Sequence, residues 1–109
     1  MKTPQRDGNE AGIVKDLRAR GYLVQTLHQG GGVPDLIVSN GPRMVLVEVK
    51  DPAQPPSGRR LTPAQVRWHA EWRDAGGADV YVCETVEQIM AALCSRRVDN
   101  NSSSFGSDP

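Results

Sequence analysis

Two short runs rich in β-branched residues, at 33–38 and 45–50, constrain the fold of this 109-residue chain more than any other feature. They read Val-Pro-Asp-Leu-Ile-Val and Val-Leu-Val-Glu-Val-Lys, and the turn-forming residues Ser, Asn, Gly and Pro lie between them. Such runs on either side of a turn predict adjacent antiparallel strands. Because side chains alternate along a strand, we expect Glu48 and Lys50 on one face and Val49 on the other.

Three charged residues interrupt these apolar runs: Asp35 in the first, and Glu48 and Lys50 in the second. If the two strands are in register, the three side chains converge. Two carboxylates held together repel each other, and a divalent cation would relieve that repulsion. Mg²⁺ takes oxygen ligands and commonly uses one or two carboxylates. We therefore predict a metal site formed by Asp35, Glu48 and the backbone carbonyl of Val49, with Lys50 beside it to orient or help deprotonate an attacking water.

The first predicted helix begins after Asn9, a favourable N-cap residue, and ends near Arg20. Its apolar stripe, extended backwards by one turn, places Glu10 on the inward face. Two interpretations of Glu10 stay open. It contacts the metal directly or through water, or it lies in the first turn, where a carboxylate favours the helix dipole and remains in solvent.

The second predicted helix opens with Thr62 as N-cap, Pro63 at the first helical position and Gln65 in capping-box position, and it ends at a glycine pair. Gln65 either only closes the helix start or points at the site, where it could position water, substrate or Lys50. Trp68 and Trp72 share one face of this helix, and we predict that they are core residues rather than a base-stacking platform.

The remaining pattern adds strands at 22–27 and 79–83, a glycine turn at 30–32 and a last helix opened by Thr85. A strand that follows a crossover helix normally pairs in parallel. The prediction is an α/β fold in the order α-β-β-β-α-β-α, with a mixed central sheet flanked by helices. The expected domain spans 9–94, between a flexible N-terminal arm at 1–8 and a disordered polar tail at 95–109.

Composition limits the classes of function. The 13 basic and 13 acidic residues balance, so any DNA contact must come from local cations. The best candidates are Arg59 and Arg60 in a Pro- and Gly-rich surface loop, although a solvated pair is the alternative. No apolar run approaches the ~20 residues of a membrane span, so we expect a soluble, cytoplasmic protein with no membrane partner. The two cysteines are expected to be buried free thiols, and the two histidines lack zinc-ligand spacing.

The order of these motifs resembles a known family. Pro34-Asp35 followed by Glu48-Val49-Lys50 resembles the signature of the PD-(D/E)xK nuclease superfamily, whose core has the same α-β-β-β-α-β order. Within it, the segments 32–36, 47–50 and 61–65 resemble the virus-type replication-repair nuclease (VRR-Nuc) domain. The resemblance implies that Glu10 is the first-helix acid, that Asp35 and Glu48 bind Mg²⁺ or Mn²⁺, that Lys50 is the catalytic lysine and that Gln65 lies near the site.

The resemblance also implies a function: a metal-dependent DNA endonuclease of bacterial or phage origin, acting as a homodimer on branched DNA such as four-way junctions, with no small-molecule cofactor. Two alternatives remain. The chain could be a DNA-binding or assembly module that keeps the fold without catalysis, or a nuclease subunit that is active only with a partner protein.

Overall fold

The fold is built on a four-stranded sheet, and its helices and strands follow one another along the chain in the predicted order. The computed structural model of the protein describes residues 8–77 and 79–95, so most of the predicted arm and tail lies outside the described residues. The elements are α1 (Glu10–Ala19), β1 (Leu23–Thr26), β2 (Leu36–Ser39), β3 (Met44–Val49), α2 (Pro56–Arg59), α3 (Pro63–Gly76), β4 (Val80–Cys83) and α4 (Val86–Cys94). The four-residue α2 is an addition, because that segment was expected to be an irregular loop.

The sheet is mixed, as predicted. Its spatial order is β1-β2-β3-β4, with antiparallel pairing between β1, β2 and β3 and parallel pairing between β3 and β4. Strand β2 starts later than expected, so Asp35 lies just before it rather than within it. Asp35 is nevertheless fixed at the centre of the sheet, because its N–H donates to Val47 O at 3.0 Å and its carbonyl accepts from Leu27 N at 2.8 Å.

The hydrophobic core lies on one face of the sheet, under α1 and α4. Residues that alternate along β2 and β3 point into it, and so do the apolar stripes of the two helices and one residue of β4. The fully buried or nearly buried members are Ile13, Val14, Leu17, Leu36, Val38, Val45, Val47, Val49, Cys83, Val86, Ile89 and Leu93. Glu48 and the other alternate residues therefore point to the opposite face, which α1 and α4 leave uncovered.

Helix α3 lies between β3 and β4 in sequence and approaches that second face. The capping box is confirmed: Thr62 Oγ1 accepts from Gln65 N at 3.2 Å, and Gln65 Oε1 accepts from Thr62 N at 2.8 Å. The predicted core position of the two tryptophans is wrong. Trp72 is 49% exposed and Trp68 is only partly buried, and the two rings stack with centroids 4.6 Å apart. Sequence periodicity correctly placed the two tryptophans on one face of the helix. It did not reveal that the core lies on the opposite side of the sheet from α3.

Two further local expectations are corrected. Asn9 precedes α1 as predicted, but its side chain makes no cap hydrogen bond. Its Nδ2 instead donates to the carbonyls of Lys50 and Glu84, both at 3.1 Å, and so ties the start of α1 to the ends of β3 and β4. Cys83 is buried as expected, whereas Cys94 is exposed near the end of α4. In the described part of the chain, no helix is long and apolar enough to span a membrane.

Candidate active site

The antiparallel pairing of β2 and β3 places the two predicted acids at the same end of the sheet. Leu36 pairs with Val47 and Ile37 with Leu46, and Asp35 directly precedes this ladder, with its N–H donating to Val47 O at 3.0 Å. The Asp35 side chain is half-buried and its Oδ2 accepts from the Val49 N–H at 2.8 Å. Because the N–H and C=O of a strand residue point to the same side, the Val49 carbonyl is also directed toward the Asp35 side of β3.

Gln65 connects Glu48 to Lys50. Glu48 is 2% exposed and Lys50 is 7% exposed, so the site contains a deeply buried acid and a deeply buried base on one strand end. Gln65 Nε2 donates to Glu48 Oε2 at 2.8 Å, and Gln65 Oε1 accepts from Lys50 Nζ at 3.1 Å. The same Oε1 accepts from Thr62 N. The two interpretations of Gln65 therefore hold together, since one side chain closes α3 and bridges the two charged residues.

A glycine sets the distance between the α3 start and the segment that carries Asp35. Gly32 has a φ of +88°, and a Cβ added there would lie 2.2 Å from Ala64 O and 3.0 Å from Gln65 N. Contacts this short are impossible for a side-chain carbon. Gly32 therefore allows the chain to pass directly against the first turn of α3, which holds Gln65 over Glu48. In the triple glycine, it is therefore Gly32 that lies against the backbone of α3.

Glu10 is buried at the start of α1, only 5% exposed, so the interpretation that it remains in solvent is wrong. Its Oε2 lies 3.0 Å from Nε2 of His28, whose backbone adopts the left-handed conformation with a φ of 46°. The pair lines a cavity of about 590 Å³ into which Lys15 and Arg18 also face. Because the neighbouring Leu27 pairs with the Asp35 carbonyl, Glu10 and His28 lie on the side of the site next to β1.

His69 is a site residue that the sequence analysis missed. It lies one helical turn after Gln65, its side chain is 12% exposed, and its Nε2 is 3.8 Å from Glu48 Oε1. Burial lowers the pKa of the His69 imidazole, with further contributions from the positive charges of Arg73 and Lys50. The i, i+4 spacing from Gln65 was the available signal, because residues at that spacing share a helix face.

In the sequence, Arg59 and Arg60 lie between Lys50 and the start of α3. Arg59 ends α2 and is partly buried, and Arg60 is exposed. The Nε of Arg59 is buried and has no hydrogen-bond partner among the described residues. This part of the Arg59 side chain therefore lies inside the fold, whereas Arg60 faces solvent.

The side chains near Asp35 and Glu48 suit some divalent cations better than others. Within residues 8–77 and 79–95, no group of three or more His, Cys, Asp or Glu side chains is close enough to hold a metal. Zinc usually needs three or four such ligands, whereas Mg²⁺ keeps several waters and uses one or two carboxylates. The pair of Asp35 and Glu48, with the Val49 carbonyl directed to the same side, fits the second kind of ion.

Comparison with known proteins agrees with this geometry. The family model of the VRR-NUC domain matches residues 11–87, which is more than half of the chain. A solved structure described as "VRR_NUC domain" is 28% identical, with 77% of this chain and 88% of that chain covered and a TM-score of 0.52. No curated protein matches. The chain belongs to the VRR-NUC family, a family of nuclease fold, and nuclease activity is the general function that membership implies.

Proposed function

We propose that the protein is a Mg²⁺- or Mn²⁺-dependent deoxyribonuclease that hydrolyses phosphodiester bonds in branched or structured DNA during replication, recombination or repair. The observation that carries the proposal is the Glu48–Gln65–Lys50 bridge, with hydrogen bonds of 2.8 and 3.1 Å, beside Asp35. An acid and a lysine buried on adjacent positions of one face would be costly for stability alone, and their arrangement suits phosphoryl transfer.

The acidic residues would hold the cation. Asp35 and Glu48 supply carboxylate oxygens, Val49 supplies its carbonyl, and Glu10 acts directly or through water. When bound, a divalent cation polarises the scissile phosphate and lowers the pKa of a bound water. Donor chemistry supports this assignment, because hard divalent cations prefer oxygen ligands.

Lys50 would act on the reacting water and the phosphate. Its ammonium group is a compact donor that can orient the water and stabilise negative charge developing on phosphate oxygens. Gln65 accepts a hydrogen bond from Nζ at 3.1 Å and so restrains the flexible lysine stem. Holding the amine in one place before substrate binds lowers the entropy that must be lost in the reaction.

DNA contacts would come from the arginines of the α2 segment, Arg59 and Arg60. Zero formal net charge leaves no overall attraction to a polyanion, so these local cations matter more. Arg60 is exposed and Arg59 partly buried, so Arg60 is the more accessible of the two for a phosphate contact. The site of action would be the cytoplasm of a bacterial or phage-infected cell, where the DNA is.

A homodimer is part of the proposal. Exposed apolar side chains lie on the sheet face that carries the site: Leu23 is 71% exposed, Met44 67% and Val82 46%. Alternation along the strands places all three on the side opposite the core. Apolar side chains grouped on one face favour association of two copies, and two sites would allow two strands of a junction to be cut.

The test is cleavage of labelled four-way-junction, flap, duplex and single-stranded DNA with and without Mg²⁺ or Mn²⁺. The variants are Asp35→Ala and a matched control, Asp74→Ala, whose side chain is exposed at the far end of α3. We expect metal-dependent cutting, strongest on branched DNA, that is lost only in Asp35→Ala. DNA that is bound but never cut would favour the non-catalytic module, and activity that appears only with a co-purified protein would favour the partner-dependent subunit.

A further inference from the structure

Both histidines of the chain lie against a buried carboxylate of the candidate site. His28 Nε2 is 3.0 Å from Glu10 Oε2, and His69 Nε2 is 3.8 Å from Glu48 Oε1. Glu10 and Glu48 are the buried acids among the described residues, and the sequence contains two histidines in total. The histidines are 41 positions apart and belong to different elements, yet each is directed at one of these acids.

We propose that His28 and His69 are positioning residues, each of which holds one buried carboxylate in the orientation that receives the cation; this rests on the proposed function. A carboxylate that ligates a metal is usually fixed by a hydrogen-bond donor behind it. Imidazole suits that position, because a neutral ring donates through one nitrogen without adding a full charge.

His69 acts together with Gln65 in this arrangement. The two side chains are one helical turn apart and so face the same direction from α3. Gln65 Nε2 donates to Oε2 of Glu48, and His69 faces Oε1 of the same carboxylate. The His69 Nε2 atom is buried and has no hydrogen-bond partner among the described residues. The separation of 3.8 Å exceeds a hydrogen bond, so the proposal requires the two atoms to approach each other when the carboxylate holds the cation.

The backbone of His28 supports a role for its side chain. A φ of 46° is rarely adopted by residues with a Cβ, whereas glycine adopts it freely. Three glycines follow within four positions, so the turn readily accommodates glycine in such conformations. Histidine adopts this conformation more often than most residues with a Cβ, and here it brings the ring within 3.0 Å of buried Glu10.

The first experiment measures Mn²⁺ binding by calorimetry without DNA. Replacements His28→Ala and His69→Ala remove the donor, and His28→Gln and His69→Gln return an N–H at a similar reach. The control is Glu71→Ala, an exposed position two residues after His69. We expect each alanine variant to bind Mn²⁺ about 10- to 100-fold more weakly, the glutamine variants to recover most of the affinity, and Glu71→Ala to bind as the native protein does. Folded alanine variants with native affinity, or glutamine variants as weak as alanine, would overturn the proposal.

The second readout does not need the metal. Nitrogen NMR of the metal-free protein reports which ring atom carries the proton, and we expect Nε2–H in both rings. Glu10→Gln should change the ring signals of His28 alone, and Glu48→Gln those of His69 alone. Unchanged ring signals would overturn the carboxylate contacts. Absence of Mn²⁺ binding by the native protein would instead contradict the proposed function, while these spectra still decide whether the histidines hold the acids.

Discussion

Gly32 is the residue where backbone geometry most directly supports the site. Its replacement by alanine combines a left-handed φ with a clash against Ala64 O, for which the built contact is 2.2 Å. Strain of about 1 to 2 kcal/mol from the backbone and about 1 to 3 kcal/mol from overpacking predict that Gly32→Ala lowers the free energy of unfolding by roughly 3 kcal/mol. Urea denaturation measures this loss.

Gly31→Ala is the matched control. Gly31 has a φ of +66° but open space around its Cβ position, so only the backbone strain of about 1 kcal/mol applies. If both replacements lowered the free energy of unfolding equally, the contact between Gly32 and α3 would not be the reason that glycine is needed at position 32.

The two cysteines differ in reactivity. Burial raises the pKa of the Cys83 thiol to about 11, from an ordinary value of 9.0, whereas Cys94 is exposed. Because the thiolate is the reactive form, we predict that iodoacetamide modifies Cys94 alone in the native protein near pH 8 and both cysteines in urea. Mass spectrometry of the alkylated peptides checks this, and rapid native modification of Cys83 would contradict the burial.

The same shift has a consequence for stability. Below pH 9.0 the Cys83 thiol is protonated in the folded and unfolded states alike. Between the ordinary value and about 11 the unfolded thiol ionises first, so the free energy of unfolding falls as the pH rises through that range. A Cys83→Ala variant should lack this contribution to the pH dependence.

At the residue scale, the sequence predicted the face of the sheet to which a strand side chain points, because side chains alternate along a strand. Glu48 and Lys50 share a face because they are alternate residues at one strand end, and Asp35 lies at the same end of the sheet, where its Oδ2 accepts from Val49 N. The contacts of His28 depend on a turn conformation, and those of His69 depend on which side of the sheet α3 covers. Neither contact follows from local periodicity, so the sequence predicts only that the two histidines lack zinc-ligand spacing.

Helix α3 is the element that links stability to the site. Thr62 and Thr85 cap α3 and α4 with the same geometry, each accepting at 3.2 Å from the backbone N–H three residues later. Loss of either cap should lower the free energy of unfolding by about 1 kcal/mol. Only Thr62→Ala should also reduce DNA cleavage, by roughly tenfold, because Gln65 is then less well held over Glu48.

Thr85→Ala is therefore the internal control for this prediction, since it weakens a helix start with no contact to Gln65. Parallel urea denaturation and cleavage assays on the two variants separate the effects. Equal cleavage by two equally destabilised variants would contradict a role for the α3 start in positioning the site.

At the element scale, boundaries marked by capping and glycine residues were predictable. The α3 limits followed from Thr62, Pro63 and the closing glycines, because these residues have specific backbone roles. Asn9 shows the limit of such reasoning, since its side chain contacts the Lys50 and Glu84 carbonyls instead of capping α1. The tryptophans are a second example of this limit, because the apolar face of a helix does not specify the surface against which it packs.

One sheet face packs under α1 and α4, and α3 covers the other face only near Glu48 and Lys50. The exposed part of that second face leads to a prediction about assembly. Light scattering at micromolar concentration should give twice the 11.9 kDa mass of the chain. Met44→Lys, which places a charge among the exposed apolar side chains of that face, should shift the mass toward the monomer. Lys15→Ala, on the exposed side of α1, is the control. A monomeric native protein would remove the dimer from the account.

At the scale of the fold, the order of elements and the mixed sheet could be predicted because pattern periods and a crossover helix leave few topologies. The position of α3 over Glu48 and Lys50 could not be predicted, since an apolar stripe on a helix does not specify the surface that the helix meets. Glu48 and Lys50 point to the face opposite the core, where Gln65 of α3 contacts both of them.

Cleavage by a Lys50→Met protein tests the central claim most directly. This replacement keeps the apolar stem of a side chain that is 7% exposed and removes only the amine, and circular dichroism establishes that the variant is folded. Metal-dependent cleavage of junction DNA should fall by at least about a hundredfold, as expected for loss of a group that acts on the reacting water, while DNA binding persists. A folded Lys50→Met protein that cuts DNA at the native rate would contradict the proposed mechanism.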